Sequence, residues 1–474
     1  MRRSLIAAAA AAAIATPLAV VATTGSAAAA PVPHRIPVTD FNKDGYADLA
    51  VSAGRGTVDG KTGAGYISIV YGSSAGADTS HAKQISRATP GMPGTPEQGA
   101  GFGLRTTARD LDGDGYTDLV VNDEPYDVVL WGSEHGLTGI SQFPGESVWD
   151  LKAGDFNGDG KADLVANGRS GLETRFGPFT RDGKPASTKL LEIGEDDGPV
   201  DIIVGDMTGD GADDLVTSHS FEEMQYSSRL WKGGKDGFTG ASTPTGQFTV
   251  DGVIADVDKD GYGDLVAREV DKVSEMQEYD AGAVRVVYGA ASGLSDRTKK
   301  ITQDTAGVPG VGEQGDWDLG DKGDQFGYSI SAGDVTGDGY PDIAVGVPGE
   351  DLGSGDDLDT AGDTGAIVLL KGGATGLTGT GAQAFNQSTA GVPGVSESDD
   401  AFGSAVLLAD VNNNNRADLT VGAPTEDGTV KDSGAAWLLR GSQNGLTTTN
   451  ITSFSPSSLG TAQDGAQFGG QLAQ

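Results

Sequence analysis

The sequence predicts an all-β fold: a seven-bladed β-propeller of four-stranded antiparallel blades, its ring closed by the C-terminal strand. Three observations predict it. A nine-residue acidic loop recurs seven times, at intervals of 45 to 78 residues. Each copy runs directly into Leu or Ile and a short, mostly apolar stretch. In six units a Gly-x-x-x-Gly turn follows, after a β-rich segment such as 283–288 or 366–370. A unit therefore reads strand, acidic loop, strand, variable loop, strand, glycine turn, strand. One such unit cannot bury its apolar faces alone, so seven in series form a repeat architecture.

The fullest loop is Asp110-Leu111-Asp112-Gly113-Asp114-Gly115-Tyr116-Thr117-Asp118. Carboxylates stand at positions 1, 3, 5 and 9, and glycine at 6 supplies the sharp turn. Oxygen ligands at this spacing suit a hard cation such as Ca2+, with position 7 adding a backbone carbonyl. The other ligand sets are Asp40, Asn42, Asp44, Asp48; Asp155, Asn157, Asp159, Asp163; Asp206, Thr208, Asp210, Asp214; Asp256, Asp258, Asp260, Asp264; Asp334, Thr336, Asp338, Asp342; and Asp410, Asn412, Asn414, Asp418. That gives up to seven Ca2+ sites. Plain Asp-Gly hairpin turns would not need oxygens at positions 1, 3 and 9 as well. An EF-hand would need a bidentate Glu at position 12 and flanking helices; no copy has that Glu, and the flanks read as strands. The site at Asp410 is expected to be the weakest, with two carboxylates and Asn415 in place of the glycine.

Residues 1–29 read as a signal peptide: Arg2 and Arg3, an Ala-rich apolar stretch, then Ala27-Ala28-Ala29, with cleavage near Ala30. Residues 30–39 are a short N-terminal segment, and 40–474 form the propeller. No later run is apolar and long enough for a transmembrane segment. The expected location is extracellular, where Ca2+ is abundant. The chain has no Cys and a net charge of −36, which repels nucleic acid and anionic membranes.

Further landmarks flank the loops. Phe102-Gly103, Phe326-Gly327 and Phe402-Gly403 precede three of them, and Val345-Gly346-Val347-Pro348 and Val421-Gly422-Ala423-Pro424 follow two. With the acidic loop, these landmarks resemble FG-GAP repeats, the units of the seven-bladed propeller at the head of integrin alpha subunits. The resemblance covers residues 40–474 and is strongest around loops 334 and 410. In the units of loops 155, 206 and 256, Val148-Trp149, Val200-Asp201 and Val250-Asp251 stand where Phe-Gly would. The loop at Asp40 has no Phe-Gly before it, while a surplus Phe468-Gly469 ends the chain with no loop after it. The two fragments complete one repeat, so residues 464–474 are expected to complete the first blade.

Little else carries chemistry. Gly72-Ser73-Ser74-Ala75-Gly76 fits a nucleophile-elbow pattern, but the same Gly-x-x-x-Gly recurs in five other units with Glu134, Lys235, Ala291, Ala374 or Gln443 at the central place, so it reads as a hairpin. His34, His81, His135 and His219 are scattered and read as solvated side chains. The acid run of Glu350, Asp351, Asp356, Asp357, Asp359 and Asp363 reads as a solvated loop, with an extra cation site or a recognition loop as the alternative. No catalytic residue is assigned. The resemblance implies a monomeric binding or adhesion module whose protein or glycan ligand meets the face opposite the calcium loops, Trp317 included. The alternative is a carbohydrate-active protein, a lectin or a polysaccharide lyase or hydrolase, on the same propeller.

Overall fold

A computed structural model describes residues 38–473, apart from 124–125, 144–147, 169–170, 192–198, 223, 239–241, 274–275, 319–321 and 353–361. The signal-peptide segment, His34, and Asp356, Asp357 and Asp359 of the acid run lie outside the described residues.

Seven antiparallel sheets follow one another along the chain. The first contains β1 (Leu49–Ala53), β2 (Tyr66–Tyr71) and β3 (Asp78–Ser86). The second contains β4 (Thr106–Arg109), β5 (Asp118–Val121), β6 (Val128–Trp131) and β7 (Gly139–Gln142). The third runs β8 (Asp150–Gly154), β9 (Asp163–Gly168), β10 (Gly171–Phe176) and β11 (Ser187–Leu191). The fourth is β12 (Pro199–Gly205), β13 (Asp214–Phe221), β14 (Met224–Trp231) and β15 (Thr243–Pro244). The fifth is β16 (Thr249–Ala255), β17 (Asp264–Glu269), β18 (Val284–Ala290) and β19 (Gly293–Ile301). The sixth is β20 (Ile330–Gly333), β21 (Asp342–Val347), β22 (Ala366–Lys371) and β23 (Thr378–Phe385). The seventh is β24 (Ala405–Ala409), β25 (Asp418–Ala423), β26 (Ala435–Ser442) and β27 (Gly445–Phe454), followed by the short helix α1 (Pro456–Leu459).

The apolar runs become strands two and three of each blade. Blades pack face to face, so these strands are covered on both sides: β1, β5, β21 and β25 are buried along their whole length. The outermost strands touch solvent and are polar, as in β11 and β3. The core is accordingly a series of clusters between neighbouring blades. One joins the fifth blade to the sixth around Val266, Phe326, Val345 and Val368; another joins the seventh to the first around Leu49, Tyr66, Leu438 and Phe468.

The first blade gains its fourth, innermost strand from the C-terminus. Leu472 bridges Val51, and the Ser52 amide donates to the Gln471 carbonyl at 2.9 Å. The Gly469 and Ala473 amides donate to Ser52 and Ala50 at 2.9 and 3.1 Å. The ring is a seven-bladed propeller closed by the tail. Phe468 also bridges Gly434 at the entrance to β26, as Phe326 bridges Gly282 and Phe402 bridges Gly365. A Cβ on Gly434 would fall 2.3 Å from the Phe468 backbone, which is why glycine stands there.

Candidate functional site

Strand direction alternates across each blade. Turns joining strands one to two and three to four therefore share one face, and the remaining connections share the other. All seven acidic loops are of the first kind. Their local geometry repeats. The carboxylate at position 1 accepts the amides of positions 5 and 6: Asp110 takes Asp114 at 3.1 Å and Gly115 at 2.8 Å, and Asp410 takes Asn414 and Asn415 at 2.9 and 2.7 Å. Left-handed backbone occurs at position 6 and also at position 4. Position 4 is Gly in four loops, but Lys43, Lys259 and Asn413 adopt φ of 57°, 58° and 53°. Asn415 keeps the turn with φ 62°.

Position 9 does a second job. One oxygen of Asp118 accepts the Leu111 amide at 2.9 Å and the other the Gly132 amide at 2.8 Å. The same bridge to the first residue of the strand-three-to-four turn recurs from Asp48 to Gly72, Asp214 to Gly233, Asp264 to Gly289, Asp342 to Gly372 and Asp418 to Gly441. In the third blade, which lacks Gly-x-x-x-Gly, Gly177 takes that role for Asp163 at 2.8 Å. The Gly-x-x-x-Gly is thus a hairpin pinned to the acidic loop, and Ser73 Oγ only caps its own turn at the Gly76 carbonyl. Neighbouring loops are tied together too. The position-8 amide donates to the position-1 carbonyl of the loop one blade back, as from Ala47 to Asp410, Thr117 to Asp40, Asp213 to Asp155, Gly263 to Asp206 and Ala417 to Asp334. Lys43 lies over the ring of Tyr116 and Lys259 over that of Tyr340, so these half-buried tyrosines serve loop-to-loop packing.

The position-9 carboxylates sit in a protein interior: six are fully buried and Asp342 is 1% exposed. Burial pushes Asp48, Asp118, Asp163, Asp214 and Asp342 up to about 7 and Asp264 to about 8, against the pull of their backbone N–H bonds. Asp418 rises only to about 6, because the Arg440 guanidinium lies beside it at 3.2 Å. Such a set favours a counter-cation. Oxygen atoms of Asp110, Asp112 and Asp118 lie within 4.8 Å of one another, as do those of Asp256, Asp258 and Asp260. These acidic clusters could hold a metal ion, and they belong to the two loops with four carboxylates. The buried Thr336 hydroxyl, at position 3 of its loop, has no protein partner. An oxygen left over in an oxygen-rich loop fits a hard cation.

Three arginines at these loops escape sequence reasoning. Arg181 contacts Asp112 and Asp114, Arg297 contacts Asp258, and Arg440 contacts Asp418. Each comes from the strand-three-to-four hairpin of a blade, distant in sequence from the carboxylates. His219 also differs from expectation. It is buried on β13, with Nε2 2.7 Å from the Thr217 hydroxyl, because a strand rather than a loop carries it.

A further group of charges faces the central bore. The inner strands enclose a cavity of about 440 Å3 lined in part by Arg109, Lys152, Asp201 and Asp251. A register shift at Val200 in β12 and one at Asp251 in β16 bring the two aspartates together: Asp251 is left out of the ladder, Asp201 still pairs with Ser218, and the Asp251 amide donates to Asp201 at 2.8 Å. Asp251 is open to the bore yet walled in by the ring, and this burial, with Asp201 beside it, pushes it up to about 7. Burial alone would lower Lys152, but Asp150, Asp201 and Asp251 outweigh it and raise it.

What the fold and its loops define is a β-propeller that gathers acidic, metal-competent loops on one face. The comparisons with known proteins narrow this. The family model of the FG-GAP repeat matches residues 33–70, 326–370 and 402–439, and that of the FG-GAP-like repeat matches 110–166. The chain carries FG-GAP repeats and resembles integrin alpha. It is 28% identical over 240 residues to integrin alpha pat-2 of Caenorhabditis briggsae, covering 46% of this chain and 17% of that protein. It is 29% identical over 185 residues to the phosphatidylinositol-glycan-specific phospholipase D of Bos taurus, covering 38% and 19%. The chain thus spans less than a fifth of either relative. Among solved structures, an Agrocybe aegerita lectin recognising non-reducing terminal N-acetylglucosamine is 14% identical, covering 94% of this chain and 99% of its own at a TM-score of 0.49. No helix among the described residues is long and apolar enough to cross a membrane.

Proposed function

We propose that the protein is a secreted, calcium-binding propeller that acts as a binding or adhesion module for a protein or glycan partner. The observation that carries this reading is the division of its faces. One face is committed to acidic loops locked together by backbone bonds. The other carries long, irregular connections, and among them Trp317 is 51% exposed and packs edge-on against Tyr279 at 5.1 Å. An exposed Trp steadied by a half-buried Tyr offers contact area at little conformational cost. The kinship of the repeats with integrin alpha supports the same reading. The Ala-rich segment before residue 30 serves as the export signal, and the mature chain works as a monomer. The test is a glycan array and a pull-down with calcium-loaded protein. Trp317→Ala is expected to reduce partner retention about tenfold or more, as for an interface anchor, with an unchanged melting temperature. Undiminished retention would place the contact elsewhere.

A second reading rests on the bore. A carboxylate raised toward neutrality beside Lys152 is what a general acid or base of a carbohydrate-active enzyme requires. Turnover of a polysaccharide panel that disappears in Asp251→Asn would establish it.

The seven loops are not equivalent cation sites in this proposal. Asp110, Asp112, Asp114 and Asp118, and Asp256, Asp258, Asp260 and Asp264, form the strongest. An arginine touches each of these loops, but loop 410 sets only two carboxylates against Arg440 where loops 110 and 256 set four against Arg181 or Arg297, and its Asn412 amide nitrogen is turned onto Asp418 at 2.9 Å, so less negative charge is left for calcium. Crystals soaked at graded calcium are expected to fill loop 410 last. Anomalous density there before loop 110 would reverse the order.

A further inference from the structure

We propose a second class of cation site on the opposite face: two divalent-cation niches between blades, one formed by Gln303, Asp324 and Glu350 and the other by Gln387, Asp400 and Glu426. The inference stands independently of the binding role argued above.

It begins with a turn that the chain uses three times where the outer strand of one blade crosses to the next. The segments are Arg87-Ala88-Thr89-Pro90-Gly91-Met92-Pro93-Gly94, Gln303-Asp304-Thr305-Ala306-Gly307-Val308-Pro309-Gly310 and Gln387-Ser388-Thr389-Ala390-Gly391-Val392-Pro393-Gly394. Their backbones match. The threonine hydroxyl accepts the amide three residues earlier at 3.0, 2.9 and 3.0 Å. The apolar residue donates back to that threonine at 3.0, 2.9 and 3.0 Å. The first residue of each turn therefore occupies an equivalent place, and each is nearly inaccessible: 5% exposed for Arg87, 3% for Gln303 and 2% for Gln387.

Where the turn begins with Arg87, the protein provides its own cation. Arg87 pairs with Asp123 at 2.8 Å, both side chains buried, and donates to the carbonyls of Pro93 and Tyr126. In the other two niches a neutral glutamine replaces the arginine, while the residue two before Phe-Gly changes from Ala100 to Asp324 or Asp400. One positive charge is lost and one negative charge is gained. Asp324 and Asp400 are 2% and 1% exposed, and each is held by one backbone amide, from Glu313 and Glu397, both at 2.7 Å. The neighbours that weigh most on Asp324, Glu350, Asp400 and Glu426 are other acids, the glutamine amides and backbone N–H groups. Asp400 and Glu426 lie within hydrogen-bonding reach of each other.

The glutamines supply the independent sign of a ligand. Gln303 Nε2 donates to Glu350 and Gln387 Nε2 to Glu426, which seats each carboxamide against its carboxylate. The oxygen on the same carbon, Oε1, is buried in both residues and has no protein partner. A buried carbonyl oxygen left unmade costs free energy that a cation would recover. Two carboxylates and a neutral amide oxygen are a hard-cation donor set, completed by water. On the carboxylate side of the Gln303 niche, Glu313, Asp324, Glu350 and Asp351 border an open cavity of about 410 Å3. Relative to the arginine niche the charge deficit is two, which a divalent ion such as Ca2+ restores.

The test is anomalous diffraction and bound-calcium counting on the full chain. Wild type is expected to show a peak in each niche in addition to any on the loop face. Gln387→Arg with Asp400→Ala rebuilds the arginine arrangement in the second niche, and is expected to fold normally and bind one calcium ion fewer. The isosteric pair Asp324→Asn with Glu350→Gln should likewise remove one ion from the first. Calcium-saturated crystals with density only on the loop face would overturn the proposal. So would variants that bind as many ions as wild type, and the carboxylates would then be sharing a proton.

Discussion

Deleting residues 464–474 is expected to abolish the normal yield of folded protein and to leave an aggregating product, an effect far larger than trimming a chain end usually produces. The segment supplies the innermost strand of the first blade through Leu472 and the amides of Gly469 and Ala473. Without it, β1 shows an unpaired edge to the bore, a template for intermolecular pairing. Phe468 is fully buried between the last and first blades, edge-on to Phe454 at 6.0 Å. Phe468→Ala keeps the backbone but opens a cavity worth about 3–5 kcal/mol, a large share of the ~5–15 kcal/mol that holds an ordinary domain together. The measurement is melting temperature and oligomeric state of both variants beside wild type. A truncated protein that melts like wild type as a clean monomer would mean that the ring does not depend on its tail.

That closure was legible in the sequence because the repeat is out of phase with the chain ends: Phe468-Gly469 has no loop after it and Asp40 has no Phe-Gly before it. Blade number and strand order were legible for a related reason, since an acidic loop and its apolar follower mark one fixed point in every blade. Other features were not. Arg181, Arg297 and Arg440 reach the loops from hairpins, and no short-range pattern pairs them with their carboxylates. Asp201 and Asp251 were visible as departures from Phe-Gly, but their convergence needs two register shifts and the curvature of the ring. The buried glutamines were hidden differently. Gln303 and Gln387 look like ordinary loop polars until the matching turn at Arg87 shows what charge the place was built to hold.

Calcium is expected to raise the melting temperature strongly, and by more at pH 8 than at pH 6. Seven position-9 aspartates are brought into the interior by folding, and six of them lie between about 7 and 8 or rise toward that range through burial. An unfolded aspartate ionises near 3.9. Between that value and the folded one, the folded state binds more protons than the unfolded chain. Stability without metal is therefore fully present below the unfolded value and is lost as pH rises through about 7. At pH 8 the metal-free protein holds these carboxylates charged, buried and close to the position-1 and position-5 acids. Calcium supplies the missing positive charge and binds only the folded arrangement, so its binding free energy adds to folding. At pH 6 protons compete for the same oxygens and the metal has less to correct. In chelator, the melting temperature should thus climb as pH falls from 8 to 6; in millimolar Ca2+ that dependence should flatten or reverse. Replacing Asp118 by Asn should act in the same sense on one loop. It removes the charge penalty without metal, narrowing the gap between chelator and calcium, while costing the bridge from Gly132 or Leu111 one of its carboxylate oxygens. A midpoint that ignores both chelator and pH would mean that the seven loops fold as plain acidic turns and hold no cation.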